Sequence, residues 1–127
     1  MSEIPNVKVV VADDNKLSQI VLKKKLQAAG AVVDVAGNGA EVMSLMAKEV
    51  YDVVILDLYM PEMDGIETLR AIRSLPENEK KSVPVIACTA SNMPGEEVDG
   101  AGVSFDAVTG KPVDIDQMIS LIKKFTS

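Results

Sequence analysis

The stretch VVILDLYMPEMDG, residues 53 to 65, runs through four aliphatic residues and then sets a carboxylate, Asp57, where the run stops. A short apolar run rich in β-branched residues reads as a buried strand. An acid at the end of such a strand needs a cation, a donor or water, because burying it unpaired is costly. Pro61 and Gly65 turn the chain away just beyond it.

Four other segments share the strand character of this one. Besides Asp52 to Leu56 itself, Val7 to Ala12, Ala31 to Ala36 and Val83 to Cys88 read as strands, with a weaker one, the fifth in all, within Phe105 to Thr109. Their near-continuous apolar content predicts a parallel sheet covered on both faces. Helical patterns alternate with them. The first covers about Asn15 to Ala29, with Leu22, Leu26 and Ala29 inward. The second covers about Gly39 to Lys48, with Val42, Leu45 and Met46 inward. The third starts after Asp64-Gly65 and buries Ile66, Leu69 and Ile72. A fourth over Asn92 to Gly102 is weakened by Pro94, Gly95, Gly100 and Gly102. The last is capped by Asp114, carries a stripe of Ile115, Met118, Ile119, Ile122 and Phe125, and ends on Lys123 and Lys124. Pro76 to Ser82 reads as a loop. With right-handed crossovers, this order gives one doubly wound α/β domain over residues 1–127, built on a five-stranded parallel sheet.

Bulk properties narrow the function. The 127 residues suit one core, and 47% apolar with 25% charged residues is the balance of a globular protein. The formal charge of −6 argues against binding nucleic acid or an anionic membrane. The apolar runs are strand-sized, and MSEIPNVK is not a signal peptide, so no membrane insertion is expected. A single cysteine points to a reducing, cytoplasmic setting. Cys88, inside VPVIAC, reads as a packing residue.

In open α/β sheets, ligands sit beyond the carboxyl ends of the strands, where strand order reverses. Here those ends carry Asp13-Asp14, Asp57, Thr89 and Lys111-Pro112. In a flavodoxin-like order, strands one and three flank the reversal, and these groups converge in one pocket. Three carboxylates repel: each pair costs about 4 kcal/mol at ~4 Å and an effective dielectric near 20. A hard divalent cation such as Mg²⁺ offsets this, since it takes carboxylate, water and phosphate oxygens. With Lys111, it cancels the three acids nominally and lets the pocket accept an anionic phosphoryl group. Asp57, at the centre, is a candidate nucleophile because carboxylates form aspartyl-phosphates.

Taken singly, these residues have ordinary readings: Asp14 as a helix cap, Thr89 as a strand end, Lys111 as a loop lysine. Together, ADD (Ala12 to Asp14), LDLYMPEMDG (Leu56 to Gly65), TA (Thr89-Ala90) and KP (Lys111-Pro112) resemble the receiver domain of two-component response regulators across essentially the whole chain. The resemblance implies the (βα)5 receiver fold, and a phosphoryl group passing from a phosphohistidine of a histidine kinase or histidine phosphotransfer protein to Asp57. It implies that Asp14 and Asp57 bind Mg²⁺ directly, Asp13 through water, and Tyr59 through its backbone carbonyl. It assigns Lys111 and Thr89 to the phosphoryl oxygens, and Ala90 to keeping access open. Asn15 after the acid pair resembles receivers attached to hybrid histidine kinases. No output domain is expected after the last helix, and the sequence leaves the oligomeric state open.

Two departures stand out. The family carries Tyr or Phe three residues before the lysine, where this chain has Val108, and Phe105 is three residues earlier still. The glycine-rich fourth helix is the second. The output surface is therefore expected to respond through ordering between residues 89 and 111, without an aromatic switch. Rival readings are a haloacid-dehalogenase-type phosphatase, disfavoured because Tyr59 stands where its second acid belongs, and a receiver that never carries phosphate. A flavodoxin is disfavoured by the acidic turn DDNK.

Overall fold

The computed structural model describes residues 3–58, 60–89, 105–111 and 113–126. Five strands, β1 (Lys8–Ala12), β2 (Val32–Ala36), β3 (Val53–Asp57), β4 (Val85–Thr89) and β5 (Ala107–Gly110), form one sheet in the order β2-β1-β3-β4-β5. All four pairings are parallel. Helices α1 (Lys16–Ala28), α2 (Gly39–Lys48), α3 (Gly65–Arg73) and α5 (Ile115–Thr126) accompany the sheet, with a short α4 (Asn78–Lys81). The expected doubly wound α/β fold is thus present. Strand order reverses between β1 and β3, as the placement of the acids requires.

The apolar runs split between two cores because successive side chains on a strand face opposite ways. Val9, Val11, Ile55, Ile86 and Cys88 pack with Leu26 of α1 and Met118, Ile119 and Ile122 of α5. Val10, Ala12, Val54, Leu56 and Val85 pack on the other face with Val42 and Met46 of α2 and Leu69 and Ile72 of α3. Leu45 and Ile66, expected inward, are only partly buried. β3 is buried at every position, Asp57 included.

Three expectations change. Asp57 and Thr89 are the last residues of their strands, because each still pairs with its neighbour: Asp57 with Cys88, and Thr89 with Gly110. The polar stretch Pro76 to Ser82 is not all loop; the Glu77 carbonyl accepts from the Lys80 and Lys81 amides and closes the turn α4. Helix α3, expected to start after Asp64-Gly65, starts at Gly65 because Asp64 caps it in a reciprocal box with Glu67, which satisfies two backbone donors at once. The helix expected over Asn92 to Gly102 lies outside the described residues, as do Tyr59, Ala90 and Pro112. No described helix is long and apolar enough to cross a membrane.

At the opposite end of the sheet from Asp57, Tyr51 is buried and donates its hydroxyl to Asp34 at 2.6 Å. Lys8 lies over its ring and pairs with Glu49 at 2.7 Å. Burial first, then the bond to Asp34, pushes the phenol well above its ordinary value of 10.0. The sign follows from linkage: a raised folded-state value stabilises fully below the unfolded value and is lost as pH rises through the folded one. Tyr51→Phe is expected to cost about 1 kcal/mol at neutral pH. It should also make the loss of stability above about pH 10 shallower. Urea midpoints across that range check this, and an alkaline limb unchanged by the substitution would rule Tyr51 out as its source.

Candidate functional site

The turn after β1 is tied down before it reaches α1. The Asp13 amide donates to the Ala36 carbonyl at 3.0 Å, and Asp13 Oδ1 accepts from the Asn15 amide at 2.9 Å. Asn15, rather than Asp14, caps α1 by accepting from the Ser18 amide at 3.0 Å. This leaves the exposed Asp14 carboxylate without a capping task.

Asp13, Asp14 and Asp57 each offer an oxygen to one place, and these oxygens all lie within 4.8 Å of one another. Asp13 and Asp57 are buried, each 7% exposed, so water screens their repulsion poorly. Lys111, just past β5, answers both: its Nζ lies 2.9 Å from Asp13 Oδ2 and 2.8 Å from Asp57 Oδ2. Burial pulls the ammonium down, but its hydrogen bonds to Asp57 and Asp13 outweigh this and hold it above its ordinary 10.5. It is therefore a fixed cation at neutral pH. The Thr89 carbonyl accepts from the Lys111 amide at 3.0 Å, which anchors the lysine's backbone to the end of β4. Thr89 itself is buried.

Four of the expected site residues, Asp13, Asp14, Asp57 and Lys111, thus meet directly, and Thr89 stands on the strand between β3 and β5. The donor set fits a hard cation: three carboxylates are gathered and one ammonium leaves net negative charge. A cleft of about 520 Å³ opens beside them, lined by Asp13, Asp57, Lys111 and the apolar Leu17, Val21 and Val113.

Gly65 explains how α3 fits behind the acid. A Cβ there would sit 2.6 Å from the Asp57 carbonyl oxygen and 2.9 Å from the Leu58 Cα. The Gly65 amide also donates to the Leu58 carbonyl at 3.0 Å. Gly65→Ala is expected to destabilise by about 1–3 kcal/mol through overpacking against backbone that cannot swing aside. A denaturation midpoint within error of wild type would contradict this close approach.

Cys88 behaves as a packing residue: burial pushes its thiol up, and its sulfur contacts Thr109 Oγ1 at 3.3 Å. Val108, at the family's aromatic position, is 40% exposed on β5. Phe105 is partly buried against the core on the α2–α3 face and does not take that position. Gln19 was not legible as a site residue. Its amide donates to the Asp13 and Ala36 carbonyls, yet a glutamine in a helix's first turns is an ordinary polar choice.

The family model for the response regulator receiver domain matches residues 9–123. The chain is 31% identical to part of hybrid signal transduction histidine kinase K of Dictyostelium discoideum, over 92% of the chain but 10% of the kinase. Among solved structures it resembles the receiver domain of the Francisella response regulator 1452, with TM-score 0.82 and 31% identity over 95% of this chain and 97% of that one. It also shares its fold with the receiver domain of sensor histidine kinase PA1611 from Pseudomonas aeruginosa, with TM-score 0.84 and 21% identity over 95% and 98%. That structure has a magnesium ion coordinated in its active-site cleft.

Proposed function

Because this chain belongs to the response regulator receiver domain family of two-component systems, whose function is phosphotransfer, we propose that Asp57 is its phosphoacceptor. The observation that carries the proposal is the Lys111 ammonium, held 2.8 Å from Asp57 in a pocket that gathers two further acids.

In this reading, one oxygen of Asp57 attacks the phosphorus of a phosphohistidine. The bond between phosphorus and the donor nitrogen breaks, and the imidazole leaves with the electron pair. Lys111 neutralises charge on the phosphoryl oxygens, and the Thr89 hydroxyl donates to one of them. Such transfer asks the protein mainly for alignment and charge neutralisation. Asp14 and Asp57, with Asp13 through water and the Tyr59 carbonyl, would hold Mg²⁺. The metal supplies positive charge against the incoming phosphate. The small Ala90 would leave the approach open.

The donor is a histidine kinase or a histidine phosphotransfer protein. The cleft beside Asp57, with the exposed apolar Leu17, Ile20 and Val21 along α1, offers it a surface. Residues 1–127 act as a single receiver domain in the cytoplasm, a regulatory phosphoacceptor that catalyses only its own phosphorylation and dephosphorylation. The test is incubation with acetyl phosphate and Mg²⁺, read by intact mass. One added phosphoryl group is expected; no uptake would favour a receiver that works only as an interaction module.

A further inference from the structure

We propose that Gln19 is the positioning residue of the metal site, holding the Asp13–Asp14 turn in place through its side-chain amide. This rests on the reading that these acids take Mg²⁺. Gln19 is partly buried on α1, and its Nε2 donates to the Asp13 carbonyl at 2.5 Å and to the Ala36 carbonyl at 3.0 Å. Ala36 ends β2, and Asp13 follows the last residue of its neighbour β1. The Asp13 carbonyl lies just past the end of the sheet ladder and needs a donor, and the Ala36 carbonyl, which already accepts from the Asp13 backbone amide, can accept a second. The amide's two hydrogens supply one each.

The contacts close into a ring. The Gln19 backbone N–H donates to the Asn15 carbonyl at 3.1 Å, and the Asn15 backbone amide donates to Asp13 Oδ1 at 2.9 Å. Asp13 is therefore gripped at its carboxylate from one side and at its carbonyl from the other. Gathering three like charges requires such a frame, because an unrestrained turn would relax outward. Groups that orient metal ligands carry much of a site's affinity without touching the ion. The neutral amide also suits the place. A lysine or arginine there could donate to the same carbonyls, but its charge would compete with the metal. The packing of α1 is carried by Leu22 and Leu26, not by Gln19.

The test is a Mg²⁺ titration of ¹⁵N-labelled protein, followed at the Asn15 backbone amide. Gln19→Met keeps the length of the stem and deletes both donors. Its half-saturating Mg²⁺ concentration is expected to rise at least about five-fold. A lower melting temperature with an unchanged Mg²⁺ midpoint would make Gln19 merely structural and overturn the proposal. A wild-type protein that does not respond to Mg²⁺ at all would instead overturn the metal site on which it rests. Should the variant not fold, the wild-type Gln19 side-chain NH₂ resonances decide: they should move with the same midpoint as Asn15, and static resonances would refute the role.

Discussion

Asp57→Asn is expected to cut phosphoryl uptake from acetyl phosphate at least about 1,000-fold while leaving the fold intact. An amide has no anionic oxygen with which to attack phosphorus, so the reaction loses its nucleophile outright. The fold should survive because the substitution preserves shape, and the Asn carbonyl can still accept from Lys111, now 2.8 Å from Asp57 Oδ2. It also removes one of three like charges gathered within 4.8 Å. The variant should thus melt no lower than wild type when Mg²⁺ is absent. Intact mass and a melting curve on the same sample check both halves. Undiminished labelling would place the phosphoacceptor elsewhere, and a collapsed fold would show that Asp57 is chiefly structural.

Lys111→Met is expected to slow uptake about 100-fold, the scale of losing one charged donor to a phosphoryl oxygen. Its effect on stability should depend on the metal. Without Mg²⁺, Asp13 and Asp57 lose the cation that lies within 2.9 Å of both. That should cost about 1–3 kcal/mol, nearer the lower value because the ammonium still reaches solvent. With Mg²⁺ the deficit should shrink, because a divalent ion takes over the neutralisation and no longer competes with the lysine. Melting temperatures of variant and wild type across a Mg²⁺ series test this. A gap that stays constant would mean that Lys111 and the metal do not share the same carboxylates.

Most of the fold was legible because the signals are local and repeated. β-branched runs alternate with helical stripes, and that alternation leaves few topologies once crossovers are right-handed. Asp57 could be read because an acid closing DVVIL conflicts with its surroundings, and such conflicts mark functional sites. Asp13, Asp14 and Lys111 became legible only through the fold, since they are 43 or more positions from Asp57 in sequence. Other features gave no local signal. Asn15 took the cap that Asp14 could equally have filled, and only the three-dimensional turn decides between them. The need for glycine at position 65 lies in where α3 crosses the β3 backbone, which no pattern encodes. Gln19 is the extreme case, an unremarkable polar residue whose partners are the backbone carbonyls of Ala36, at the end of β2, and of Asp13, just past β1.

The aliphatic Val108 has an optical consequence. The chain contains no tryptophan and only two tyrosines, and one of them, Tyr51, is buried at the far end of the sheet. The other, Tyr59, is two positions from Asp57 in sequence, so ultraviolet emission near the acceptor rests on a single phenol. Val108 is 40% exposed on an edge strand, three residues from Lys111, so it can carry a larger ring outward with little repacking. An indole introduced there would be the molecule's single fluorophore of its kind. It would give the acceptor a reporter distinct from the tyrosines, through which its occupancy can be followed in real time.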